Sequence, residues 1–363
     1  MAQSSSLGCS IESPRTARIE PTMAFTMHSH SGEFCPGHAV DGLEAIVRHA
    51  IAIGFKTMGL SEHMPRYEER DLYPEERDDP QASLAVLPPR HEAYLVEARR
   101  LQAKYADQIH ILVGFEAEFI RPSFAPLVRA LAEPACVDYF IGSLHHVHGH
   151  PIDYDAKAYA AALDASSGSS SSSSSITTSA SASASSSGAA AAAAAAVAPR
   201  GEQRLWEDYY DQQRDMLLAL RPRVVGHFDL VRLLAADPAQ DPRAWPGVWE
   251  RVVRNLRIVA EQGGWLECNT AALRKGLAEP YPCRAIAEEW LKMGGKFTMS
   301  DDSHGIAHLA TNYARGAAYL ESLGVEHVWT FRRRPHPGLG DGDARATLED
   351  TPVPLSEFTR LFK

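Results

Sequence analysis

Two short motifs near opposite ends of the chain set out its chemistry. His28-Ser29-His30 places two imidazoles two residues apart. In an extended segment residues i and i+2 face the same side, so both rings can grip one ion. Asp302-Ser303-His304 repeats the spacing with a carboxylate and an imidazole. Between them, apolar runs lead into Ser61-Glu62-His63, Gly114-Phe115-Glu116, Gly142-Ser143-Leu144-His145, Gly226-His227-Phe228-Asp229 and Glu267-Cys268-Asn269. One His beside an apolar run is ordinarily a packing residue. Seven runs that each deliver a His, Glu or Asp point instead to one shared rim. The donors are nitrogen and oxygen, which suits Zn, Mn or Fe and disfavours a four-cysteine structural zinc site. They exceed what one ion needs, so two or three divalent ions sharing a bridging carboxylate are expected. Neighbouring ions can clamp both the attacking and the leaving oxygen of a phosphoryl displacement, which makes phosphate ester hydrolysis the matching reaction.

The apolar runs read as strands near 23–28, 56–60, 109–115, 137–142, 223–228, 265–268 and 296–300, with a last candidate at 326–331. Helix-length periodic segments lie near 41–53, 90–106, 203–220, 246–262, 283–293 and 307–322. Gly54, Gly263, Gly294 and Gly324 stand where left-handed residues end helices. Strands alternating with helices imply βαβ units and a parallel sheet. Seven or eight units suit a closed or distorted barrel, whose active site forms at the carboxyl ends of its strands.

The chain has 363 residues and a formal charge of −10, with 45% hydrophobic and 23% charged residues. These values exclude wholesale disorder and a membrane bundle, and the acidic balance argues against nucleic acid as a partner. The five cysteines are an odd number without a CxxC pair, which suits a reducing compartment. No apolar stretch has membrane-spanning length, and Glu12 and Glu20 weaken a transit-peptide reading, so a cytoplasmic location is expected. Residues 1–22 read as a flexible N-terminal segment, 23–335 as the barrel domain and 336–363 as a C-terminal extension. Residues 165–199 are Ser, Ala and Gly almost throughout and carry no charge before Arg200. That tract reads as a disordered low-complexity insertion, in which Ala189–Ala196 could form a short helix.

The order of these motifs resembles the polymerase-and-histidinol-phosphatase (PHP) superfamily, and within it the fungal type of histidinol-phosphatase. Phe34-Cys35-Pro36, Asp138–Ser143 and Asn269–Lys275 support the likeness, which covers about residues 23–310 apart from the insertion. It implies an α/β fold, a distorted (β/α)7 TIM-like barrel with a trinuclear metal centre. Transferred by motif, His28, His30, Glu116 and Asp302 would hold the first ion. Glu116 would bridge to a second, held by His145 and His227. His63, His304 and His38 would take the third. The implied activity is hydrolysis of L-histidinol phosphate to L-histidinol and phosphate by a metal-activated water, with Glu116, Asp302 and His304 as catalytic residues.

A phosphate monoester carries about two negative charges near neutral pH and needs a cationic partner. Arg274 is the first candidate, followed by Arg66, and Asn269 could orient substrate or cap the next helix. Within the tract from His145 to His150 only His145 belongs to a motif, and the other histidines read as loop residues. His91-Glu92 lacks the second His of a zinc-protease helix. Arg332-Arg333-Arg334 reads as a solvated basic cluster. Two rival readings stand: the same site acting on another small phosphoester or a nucleic-acid end, and a non-enzymatic metal-binding barrel. The sequence leaves the oligomeric state open.

Overall fold

The computed structural model describes residues 23–168, 187–334 and 346–362, and for 187–200 only the backbone. Residues 1–22 and the tract 169–186 of the insertion lie outside the described residues. The strands are β1 (Phe25–Thr26), β2 (Thr57–Leu60), β3 (His110–Glu118), β4 (Tyr139–Ser143), β5 (His146–Val147), β6 (His150–Pro151), β7 (Val224–Val225), β8 (Trp265–Asn269), β9 (Phe297–Ser300), β10 (His327–Arg334) and β11 (Thr347–Pro354). The main sheet runs β1-β2-β3-β4-β7-β8-β9 with every pairing parallel. Met27 N donates to Met299 O at 3.1 Å and His30 N to Ser303 O at 2.8 Å, which joins the first strand to the last. The architecture is the expected distorted (β/α)7 barrel.

Helices alternate with the barrel strands and continue beyond them. They are α1 (Leu43–Ala52), α2 (Pro80–Lys104), α3 (Phe124–Ala132), α4 (Ala156–Gly168), α5 (Ser187–Leu220), α6 (Pro246–Gln262), α7 (Ala271–Arg274), α8 (Arg284–Lys292), α9 (Tyr313–Ser322) and α10 (Leu355–Phe358). Ile111, Leu112 and Val113 are all buried, because a parallel strand is covered by helices outside and by barrel filling inside. One glycine permits a close approach within that filling. At Gly59 a Cβ would collide with the Tyr139 hydroxyl, which crosses beneath it and donates to Met27 O at 2.6 Å.

Several features depart from the sequence reading, which placed no helix at α3 or α4. α2 starts at Pro80, ten residues early, with Asp79 capping Ala82 N at 3.0 Å, and runs on through Pro88-Pro89. Its buried face (Leu87, His91, Tyr94, Ala98, Leu101) packs on the barrel and overrides the proline stop. The strand candidate at 326–331 is not a barrel strand: β10 pairs antiparallel with β11. Beyond it Phe358 stacks edge-on against Phe25 at 5.3 Å, so part of the 336–363 segment seals the amino-terminal end of the barrel. The basic triplet is not simply solvated, because Arg333 Nε lies 3.0 Å from buried Asp138 and Arg334 Nε 2.9 Å from Glu349. The alanine run continues into α5, within one backbone helix. No helix among the described residues is long and apolar enough to cross a membrane.

Candidate metal centre

The expected ligands gather at the carboxyl rim of the barrel: most follow the end of a strand, Glu116 lies within β3 and His38 in the loop between β1 and α1. The parallel pairing of β2 and β3 extends to the rim through a bridge between His63 and Glu116, and Ser29 and Ser303 bridge β1 to β9. These contacts bring motifs from positions 28 to 304 together around Glu116, which is buried at the centre. Its Oε2 lies 3.3 Å from His28 Nε2, 3.5 Å from His30 Nε2 and 2.8 Å from His63 Nδ1. Its Oε1 lies 3.1 Å from His227 Nε2 and 3.4 Å from His145 Nε2. Asp302 Oδ1 closes the other side, 3.3 Å from His30 Nε2 and 3.6 Å from His28 Nε2. The neighbouring Asp301 turns away to Thr26 and Ala310 N.

Three clusters result, each able to hold an ion: His28, His30 and Glu116; Glu116, His145 and His227; His30, His63 and His304. His38 stands beside the third, its ring 4.8 Å from His304 and 5.2 Å from His63, with Nδ1 at 3.1 Å from Glu75. The residues fit cations. His28 Nε2, both nitrogens of His30 and of His63, and His304 Nε2 are buried with no properly aligned hydrogen bond, although carboxylate oxygens stand close to several of them. Buried polar atoms are rarely left so, and here they converge with carboxylate oxygens at spacings a shared cation would satisfy.

Electrostatics agree with that convergence. Burial disfavours charge on Glu116, yet His28, His145 and His63 around it hold its carboxyl well below the ordinary range. Asp302 is likewise held low, against burial, by His28 and His30. Burial also opposes a proton on His28 and His145, but Glu267 and Glu116 beside the first, and Glu118 and Glu116 beside the second, outweigh it. His28 is raised well above its ordinary value and His145 to about 10. Burial instead lowers His30 and His304, and takes His63 to about 3. At neutral pH the protons of the centre therefore sit on His28 and His145. A cation must displace them, so binding releases protons and affinity strengthens as pH rises through neutrality. Titration of Mn2+ or Zn2+ by calorimetry in buffers of different ionisation heat should show this release; heats independent of buffer would contradict it.

Two carboxylates that the sequence reading gave no role hold the imidazoles in place. Glu267 accepts from His28 Nδ1 at 2.8 Å and from His227 N at 3.1 Å. Glu118 takes His145 Nδ1 and, at 2.8 Å, the Tyr73 hydroxyl, with His146 Nδ1 at 3.4 Å. Each carboxylate anchors Nδ1 and leaves Nε2 facing the centre. The signal for Glu118 was its i+2 spacing from Glu116 on β3, which puts both on the barrel's inner face. His146, read as a loop residue, is buried beside it. Glu267→Gln is expected to weaken metal affinity about 10–100-fold. Activity of this variant should recover with excess metal, and a loss that no metal concentration restores would refute the positioning role.

Among the expected phosphate partners, only Arg274 reaches the open cleft above the centre. Its Nη1 and Nη2 donate to the carbonyls of Asp301 and Asp302, both at 2.8 Å. Arg66 does not reach it. That side chain is buried, stacked over Tyr73 at 4.3 Å, bonded to Met64 O and paired with Glu76. Asn269, the last residue of β8, is also withdrawn from the cleft: its Oδ1 accepts from Ala271 N at the start of α7 (2.9 Å) and its Nδ2 donates to Glu267 (3.1 Å). The bond to Ala271 steadies the strand-to-helix turn without making Asn269 the cap of α7, whose cap position is Thr270. His91 is buried on α2 with burial lowering it to about 4, and Cys35 and Cys268 are buried with thiols pushed up, Cys35 to about 12.

The PHP domain family matches residues 26–271. This chain belongs to the PHP family. A Schizosaccharomyces pombe relative described as a probable histidinol-phosphatase is 34% identical over 315 residues, covering 86% of this chain and 91% of that protein. The Saccharomyces cerevisiae histidinol-phosphatase is 27% identical over 351 residues, covering 85% and 95%. Among solved structures, a histidinol phosphate phosphatase from Lactococcus lactis, complexed with zinc, L-histidinol and phosphate, superposes with a TM-score of 0.55 at 17% identity, covering 85% of this chain and 96% of that one. It shares the fold. The PHP match spans the ligand motifs from His28 to His227, whereas Asp302 and His304 lie beyond its end at residue 271.

Proposed function

We propose that this PHP chain is a metal-dependent phosphomonoesterase that hydrolyses L-histidinol phosphate to L-histidinol and phosphate, a step of histidine biosynthesis. The observation that carries the reading is the convergence of buried imidazole nitrogens, without aligned hydrogen bonds, on Glu116 and Asp302 at the carboxyl rim of the barrel. The histidinol-phosphatase relatives, which align along most of their lengths, support the choice of substrate. His28, His30, Glu116 and Asp302 would hold one divalent ion, Glu116, His145 and His227 a second, and His63, His304 and His38 a third. The nitrogen and oxygen donors suit Zn, Mn or Fe. Such ions supply Lewis acidity, making water a nucleophile near neutral pH and offsetting charge on the phosphoryl oxygens.

The protein's own groups do the rest. Arg274 presents a planar cation to the phosphate while its remaining donors brace the turn that carries Asp302. His304, kept neutral by burial, donates Nδ1–H to Asp302 O at 2.9 Å, which leaves its Nε2 with a lone pair. That tautomer makes His304 a ligand and not the acid for the leaving alkoxide. Glu116 keeps its charge between the rings and so can serve two ions at once.

The test is phosphate release by purified, metal-reconstituted protein from a panel of esters, with a chelated control. L-Histidinol phosphate is expected to be the preferred substrate, with activity lost on chelation and regained on adding metal. Preference for a nucleic-acid end, or metal binding without turnover of any ester, would overturn the proposal.

A further inference from the structure

The cleft above the metal centre is divided by charge. Arg274, Lys275 and His308 line it where Asp302 and His304 rise from the rim, and Asp153 and Tyr154 line it beside His145. The position of Asp153 follows from local backbone. After His145 the chain forms the β5–β6 hairpin, reversing at His148 and Gly149, which adopt φ of 52° and 80°. Ile152 N then bonds His145 O at 2.9 Å, so the next residue, Asp153, stands over the wall that His145 forms. Its carboxylate is half-buried and has no hydrogen bond or ion pair among the described residues. Glu75 also lines the cleft and pairs with His38 through Oε1, while its Oε2 is buried without a hydrogen-bond partner. Tyr154, beside Asp153, is a large aromatic left 49% exposed at the cleft mouth.

Asp153 helps to raise His145 through space but makes no ion pair with it, so its carboxylate oxygens stay free to accept from a cationic ligand, and an exposed ring in a polar cleft is a ready face for a flat one. L-Histidinol phosphate offers both complements: an ammonium group, and a planar imidazole at the end away from the phosphate. With its phosphate at Arg274, its organic end would extend toward the Asp153 wall. We propose that Asp153 is the specificity-determining residue of this site, pairing with the substrate ammonium while the Tyr154 ring receives the imidazole. This rests on the reading of the site as a histidinol-phosphatase and adds how the organic part is chosen. A site built to bond a polar group rejects an analogue lacking it more strongly than a merely apolar pocket does. Asp153 would thus exclude phosphate esters that carry no cation, sparing other phosphorylated metabolites.

The experiment compares L-histidinol phosphate with its des-amino analogue, 3-(imidazol-4-yl)propyl phosphate, on the parent enzyme and on Asp153→Asn. Metal content is measured alongside. The parent is expected to prefer the amine-bearing ester by about 10–100-fold in kcat/KM, the range of a hydrogen-bonded charge pair. Asp153→Asn should erase most of that preference, chiefly through KM, with the metal retained. Asp153→Glu, which keeps the charge, should retain part of it. A preference that survives in Asp153→Asn, or an equal fall on both esters, overturns the assignment. A parent that turns over neither imidazole ester while hydrolysing others would instead refute the underlying functional reading.

Discussion

Replacing Glu116 with Gln should lower kcat/KM by at least about 10³-fold while leaving the barrel folded. The magnitude follows from position: both carboxylate oxygens are used, one toward His28, His30 and His63, the other toward His145 and His227. A neutral amide of the same shape keeps the packing but removes the charge that two clusters share, and its NH2 presents a donor where a cation belongs. Loss of about 4 kcal/mol of transition-state stabilisation corresponds to that rate. The fold should tolerate the change because the substitution removes a buried charge as well as its partners' compensation, so the two electrostatic effects oppose. His28 and His145, raised in part by Glu116, should shed their protons more readily in the variant. The measurements are steady-state phosphate release, bound metal by elemental analysis and far-UV circular dichroism. Near-normal turnover would remove Glu116 from its bridging role. Lost turnover with lost dichroism would show a structural role instead.

What could be read from the sequence, and what could not, divides along physical lines. The ligands were legible because a barrel puts each one immediately after an apolar run, and the i, i+2 spacing of His28 with His30 and of Asp302 with His304 marks one face. Asp302 was separable from Asp301 by that spacing, and the structure agrees, since Asp301 turns to Thr26 and Ala310. The groups that orient the ligands were harder to find. Glu267 was noted at a strand end without a role, because its partner His28 lies 239 positions away. Glu118 carried a usable signal in its alternation with Glu116, but nothing local says that it meets His145. Arg66 failed for the converse reason. It follows His63 closely enough to look like a rim residue, yet Glu76 and Tyr73 draw the guanidinium into the protein. The fate of the 326–331 strand was equally non-local, since its pairing with β11 crosses a gap that periodicity does not span.

Replacing Arg274 with Ala should cost about 10²–10³-fold in kcat/KM, the scale of losing a preorganised donor to transition-state charge. Its position explains why one residue carries two effects. Asp302 holds φ of 47°, a left-handed conformation that most side chains avoid and that Asp tolerates better than most when local hydrogen bonds support it. Arg274 supports it by donating to the carbonyls of Asp301 and Asp302, so the side chain that faces the phosphate also shapes the turn bearing a metal ligand. Arg274→Lys separates the two. Lysine keeps the positive charge but loses the planar fork, so it can attract phosphate without spanning both carbonyls. The lysine variant is expected to recover part of KM but little of kcat, and to hold metal less tightly than the parent. Free guanidinium added to the alanine variant should restore activity in part, because the cavity left behind has the shape and the two carbonyl acceptors for it. An alanine variant within about threefold of the parent would place the phosphate elsewhere in the cleft. A lysine variant equal to the parent in both constants would show that charge alone is needed there and that the turn at Asp302 stands without the fork.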